Sequence, residues 1–273
     1  MIKKLVFTLI ASSTLYGCGG DSSGNDSKTA PAAKSFDISA YDAVASYTDT
    51  LAGTWVAVST GWQKISEGEY EVYNNISERR FFVIRENGNS YQSSNCISDG
   101  FSNIYGAGDN ITIPEIGNLS VESSSSIYGT QALNESAYGV TMTGSTTTQI
   151  VKISNSVNSI GTFTSNYIGE TNISDVHCVA EGSAGGTDGD VTGTATVFMT
   201  NAGDVEFSTE SANSNGYSYK EINLDYKEWN TDYGDSVSIY LSHQDDFAFT
   251  LNFNASGYSN SISGSLNVQL PRQ

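Results

Sequence analysis

From residue 53 onward, period two dominates the hydrophobic pattern. Phe247, Phe249, Leu251 and Phe253 recur at every second position, as do Ile262, Gly264, Leu266, Val268 and Leu270. Alternation of this kind predicts strands with one buried and one wet face. Asn87-Gly88 separates the run Arg80 to Glu86 from the run Ser90 to Cys96, the strongest short-range signal for a hairpin. Asn201-Ala202-Gly203-Asp204 and His243-Gln244-Asp245-Asp246 also separate strand-like runs. The pattern predicts an all-β fold, an antiparallel barrel or sandwich of about a dozen short strands.

Upstream the period changes. Ile38, Tyr41, Val44, Tyr47 and Leu51 recur every three or four residues, with Ser39 placed as an N-cap, Asp42 three residues on and Gly53 placed to stop the run. One short amphipathic helix is expected there, ahead of the first strand.

The first residues follow neither period. Lys3 and Lys4 precede a mostly apolar stretch from Leu5 to Leu15, too short for a bilayer crossing of about 20 residues. It reads as a cleaved signal over residues 1–17. Leu15-Tyr16-Gly17-Cys18 resembles the lipobox of bacterial lipoproteins. The resemblance implies lipidation of Cys18, cleavage just before it, and durable anchoring by several acyl chains. Gly19 follows where an aspartate would signal retention, which by the enterobacterial sorting pattern implies the outer membrane, on its periplasmic or its external side. Residues 18–35 read as the anchor and a disordered tether rich in Gly, Ser, Asn, Asp, Lys and Ala. Residues 36–273 read as one β-domain or two subdomains.

Charge narrows the partners. Loss of Lys3 and Lys4 with the signal reduces 12 basic residues to 10 against 30 acids, a formal net charge of −20. Such a surface disfavours nucleic acid and anionic head groups. Cys96 and Cys178 are the cysteines left beyond Cys18, and an oxidising compartment predicts a disulfide between them. Closing that long loop would restrict the unfolded chain by about 4 to 5 kcal/mol in the entropy model.

The chemistry-bearing residues are sparse. The letters G-x-S-x-G occur at Gly20-Asp21-Ser22-Ser23-Gly24, inside the tether and away from any strand-to-helix turn; H-E-x-x-H is absent, and the two histidines, His177 and His243, are too few for a zinc site or a histidine triad. No catalytic residue, metal or cofactor is therefore assigned. Thirty acids leave paired-carboxylate glycoside chemistry open; Asp225, Glu228, Asp232 and Asp235 gather around Trp229 but fit a solvated loop better. Gly185 to Asp190 faintly resembles a calcium-binding glycine repeat and is read as a flexible turn.

Gly53-Thr54-Trp55 resembles the G-x-W signature of lipocalins and lipocalin-like bacterial lipoproteins, and Thr231-Asp232-Tyr233 and Arg272 follow in the order of that family's later motifs. The resemblance implies that Trp55 plugs one end of a barrel whose other end takes a small apolar ligand. The competing expectation is a glycan stacked on surface aromatics such as Trp62 or Trp229. The expected function is thus a lipid-anchored, non-catalytic binding domain, against a structural envelope protein or a carbohydrate-active enzyme.

Overall fold

The computed structural model describes residues 33–44, 49–67, 70–97, 100–137, 140–188, 191–202, 205–212, 216–225, 227–258 and 260–272. The expected signal, Cys18 and most of the expected tether lie outside these residues. In chain order the strands are β1 (Gly53–Glu67), β2 (Tyr70–Asn87), β3 (Ser90–Ser94), β4 (Phe101–Asn103), β5 (Tyr105–Ala107), β6 (Asn110–Ile113), β7 (Gly117–Ser123), β8 (Ser126–Ala137), β9 (Val140–Ser154), β10 (Gly161–Tyr167), β11 (Glu170–Val176), β12 (Cys178–Asp188), β13 (Val191–Thr200), β14 (Val205–Ala212), β15 (Tyr217–Leu224), β16 (Lys227–Asn230), β17 (Ser236–Asp245), β18 (Ala248–Ser256) and β19 (Ser261–Gln269). They exceed the expected dozen, and several are long.

All pairing is antiparallel. One sheet has 14 strands along the path β16-β15-β14-β13-β12-β2-β1-β9-β8-β7-β6-β5, with β3 on β2 and β4 on β3; the other has five in the order β11-β10-β19-β18-β17. Neither closes into a barrel, so the sandwich alternative holds and the lipocalin plan of a single closed barrel does not describe this architecture.

Alternation sorts the large sheet's side chains onto two faces. The front face, with Val56, Val58, Phe81, Val83, Phe198 and Phe207, packs on Phe163, Phe249, Leu251, Phe253 and Leu266 of the small sheet. Phe207 and Phe253 meet at 5.0 Å and Phe81 and Phe249 at 6.3 Å between ring centroids, the aromatic contacts that join the layers. The back face, with Trp55, Ala57, Phe82, Ile84 and Ile150, packs on Ile111, Ile113, Leu119 and Ile127. Since β6 to β8 belong to the same sheet, that sheet rolls over its own back face. Cys96 and Cys178 form a disulfide in this second core.

The expected helix is replaced by a strap. Among the described residues the segment forms a 3-10 turn, Ile38–Ala40, capped by the Asp37 side chain and not by Ser39; positions 45–48 lie outside the described residues. Phe36, Tyr41 and Val44 are each buried, and the Val44 amide donates to the Lys152 carbonyl at 2.8 Å. The apolar residues anchor an extended segment one at a time, so their spacing imitated a helical stripe. Gly53 starts β1 at φ 153°, where a β-carbon would collide with the Ser154 carbonyl.

Candidate functional site

The strands of the large sheet outrun their cover. Those of the small sheet are 7 to 10 residues long, against 15 for β1, 18 for β2 and 15 for β9. Beyond Val58 the front face opens to solvent at Thr60 and Trp62, while Ser77 and Ser183 stay buried among the described residues, and its chemistry changes from apolar to hydroxyl and amide.

Register places these residues in rows across the sheet. Thr130, Thr147, Thr60, Ser77, Ser183 and Thr196 form the first row on β8, β9, β1, β2, β12 and β13. Two residues further out, Ser145, Trp62, Asn75, Gly185, Thr194 and Ser211 form the second, on β9, β1, β2, β12, β13 and β14. The third row carries Thr143, Lys64 and Tyr73. At about 4.8 Å per strand, the six residues of the second row span roughly 24 Å.

Two aromatic side chains rise from this field. Trp62 is 47 % exposed and Tyr73 49 %, diagonal neighbours on β1 and β2, a separation of about 7 to 8 Å. The Lys64 ammonium lies 5.3 Å from the centre of the Tyr73 ring and is ion-paired with Glu71. That hydrogen bond to Glu71, followed by one to Tyr73, raises the Lys64 pKa and keeps it cationic. A lysine whose charge is paired, half-bare rings and rows of hydroxyls make a surface that can stack on sugar rings and hydrogen-bond their hydroxyls without strong net charge.

The boundary between bare and covered front face is a charged knot. Arg79 donates to Glu181 at 2.7 Å and to the Tyr41 hydroxyl at 3.0 Å, and stands 3.3 Å from His243 Nε2. Lys34 joins by an ion pair to Glu181 and by its amide to Ser183 Oγ at 2.9 Å. The strap thus crosses the first hydroxyl row at β12. Burial lowers the His243 pKa.

The other expected sites fall elsewhere. Trp55 is fully buried in the back core and donates from Nε1 to the Leu51 carbonyl at 2.8 Å. Trp229 is 1 % exposed in the front core, edge-on to Tyr167 and bonded to Asn260. With both indoles inside cores, neither offers an outward stacking face. Of the acids near Trp229 in sequence, Asp232 accepts from Tyr217 and Asp235 from the Asn230 amide. Thr231–Tyr233 is a 3-10 turn. Gly185 to Asp188 is strand and not turn; Gly186 leaves room for Asn74, whose side-chain oxygen a β-carbon would strike.

Two features escaped the sequence reading. Lys64 and Tyr73 were unremarkable until register set them beside Trp62; parity with Val56 and Val58 was the available signal. Glu206 and Glu221 are the second. They lie diagonally on β14 and β15, and burial, then the charge of Glu221, raises the Glu206 pKa to about 7. Burial also raises Glu221, although Tyr219 donates to it. Glu206 shares its face with Met199 of the back core, opposite to Trp62, so this pair is separate from the aromatic surface.

Concavities add little. A void of about 10 Å³ beside Asn74, Gly186 and Glu210 suits a single water. A polar hollow of about 260 Å³ lies where β7 meets β8, lined by Asn110, Thr112, Asn118 and Thr130. No protein-family model matches the chain, and neither the curated proteins nor the solved structures include a match.

Proposed function

We propose that this chain is an exported, lipid-anchored envelope protein whose β-domain binds a neutral polysaccharide on the bare front face around Trp62. The observation that carries the binding reading is the pair of half-exposed rings, Trp62 and Tyr73, standing among rows of hydroxyls and amides on a rigid sheet. Charge supports the choice of ligand. The chain has a formal net charge of −18, which repels nucleic acid and acidic polymers, and Lys64, the cation beside the rings, is already paired with Glu71. The residues Leu15 to Cys18 support the anchor, and Gly19 supports the outer membrane as its address.

Sedimentation of the purified protein with insoluble neutral polysaccharides tests the ligand. Trp62→Ala should abolish retention, whereas Trp229→Phe, a change inside the core, should leave it intact. No retention by the wild type, or full retention of Trp62→Ala, rejects the reading. Intact-mass measurement tests the anchor. The mature protein should begin at Cys18 with acyl groups attached, and Cys18→Ser should accumulate as unlipidated precursor.

A further inference from the structure

Resting on the glycan reading above, we infer that the ligand is an extended, β-linked neutral polysaccharide that lies across the strands, one sugar residue per strand, along the row through Trp62. Three observations fix the direction.

The first is spacing. Strands repeat at about 4.8 Å, close to the advance per residue of an extended β-1,4-linked pyranose chain, whose two-fold screw turns alternate sugars over, so that every second sugar meets every second strand in the same way. An α-linked chain that coils has no such match.

The second is relief. Along the row, Ser145, Asn75, Gly185, Thr194 and Ser211 are small or lie low, and Trp62 alone carries a large ring. Gly185 removes any side chain midway. A chain can lie flat here with one ring stacked on Trp62 and hydroxyls within reach of Asn75, Thr194 and Ser211.

The third is confinement. A chain running along β1 instead would meet Lys64 on one side of Trp62, and on the other the covered front face beginning at Val58, which is 6 % exposed. Across the strands the described residues leave the way open, bounded by Lys64 and Tyr73 on the outer side and by Lys34, bonded to Ser183, on the inner side. The structure therefore presents a lane.

Titration of the full-length protein in detergent with cello- and chito-oligosaccharides, from disaccharide to octasaccharide, and with malto-oligosaccharides measures this. Affinity should rise by about tenfold or more between disaccharide and hexasaccharide, equivalent to about 1.4 kcal/mol, and malto-oligosaccharides should bind at least about tenfold more weakly. Thr194→Arg places a bulky side chain three strands from Trp62, about 14 Å away. It should weaken hexasaccharide binding several-fold and leave disaccharide binding unchanged, and Ser211→Arg should repeat the effect at greater length. Thr194 and Ser211 are exposed, and matching thermal melts verify that each variant is folded. Length-independent affinity, equal binding of malto-oligosaccharides, or an unaffected hexasaccharide in Thr194→Arg overturns the lane while leaving the glycan reading in place. Absence of binding by every saccharide defeats both.

Discussion

Val56 and Val58 point the same way from β1 as Trp62 and Lys64, yet the first two are sealed beneath the small sheet and the last two face water. Sequence alternation sets the face, whereas the reach of the neighbouring layer sets the burial. The small sheet stops where Arg79 and Glu181 sit, and the long strands carry on without it. On the back the situation differs: Gln63, Ile65 and Asn74 stay buried far out along the same strands, while Gly61, Gly144, Gly186 and Gly193 supply close-packed positions without side chains. The overhang is thus one-sided, bare in front and closed behind.

The sharpest break of this comparison lies between two tryptophans of β1. Trp55→Ala should cost about 3 to 5 kcal/mol, as removal of a fully buried large side chain usually does, measured by urea unfolding. A loss below about 1 kcal/mol would mean that the back core is loose.

A smaller effect concerns Glu206 on the back side. Its carboxyl holds a proton up to about pH 7 when folded, against an ordinary value of 4.5. Between those values the native state binds the extra proton, so stability falls as pH rises through the window and is fully retained below it. The loss by pH 8 should be roughly 3 kcal/mol. Glu206→Gln should flatten that slope in denaturant titrations from pH 4 to pH 8; an unchanged slope would assign the titration to another group.

The smallest stability change belongs to the overhang. Trp62→Ala should shift the unfolding free energy by no more than about 0.5 kcal/mol, as for most exposed substitutions, even as polysaccharide retention disappears. Destabilisation comparable to that of Trp55→Ala would erase the distinction between covered and bare halves.

Much of the fold was legible in local chemistry. The alternation at Phe247 to Phe253 and Ile262 to Leu270 became β18 and β19, and Asn87-Gly88 marked the tight turn between β2 and β3, which Gly88 and Asn89 form after Asn87 closes the strand, with Gly88 at φ 62°. The pairing of Cys96 with Cys178 followed from the cysteine count and the oxidising compartment expected of an exported chain. The turn expected at His243 to Asp246 falls at Asp246 and Phe247, because β17 is an edge strand whose polar end resembles a loop and which runs through a bulge to Asp245. The strap imitated a helix because isolated anchors happened to fall at helical intervals. The proposed binding surface was only half legible: Trp62 was named, but Trp229 ranked beside it, since nothing local distinguishes an indole whose strand is covered from one whose strand overhangs. That distinction depends on where a separate sheet ends.

The order of the central strands also has a kinetic consequence. β1 and β2 make a local hairpin, but their outer edges are completed by β9 and β12, so that Trp55 meets Lys152 and Phe82 meets Cys178 across long stretches of chain. A chain that emerges from its N-terminus holds this apolar hairpin with two open edges until far more of it is available. Closing such loops carries entropy that only the late contacts repay, which puts all-β domains of this kind in the millisecond-to-second range of folding. Cys96 must wait through the same interval for the strand that brings its partner, which makes the disulfide a late event and leaves the half-built centre open to edge-to-edge association in the meantime.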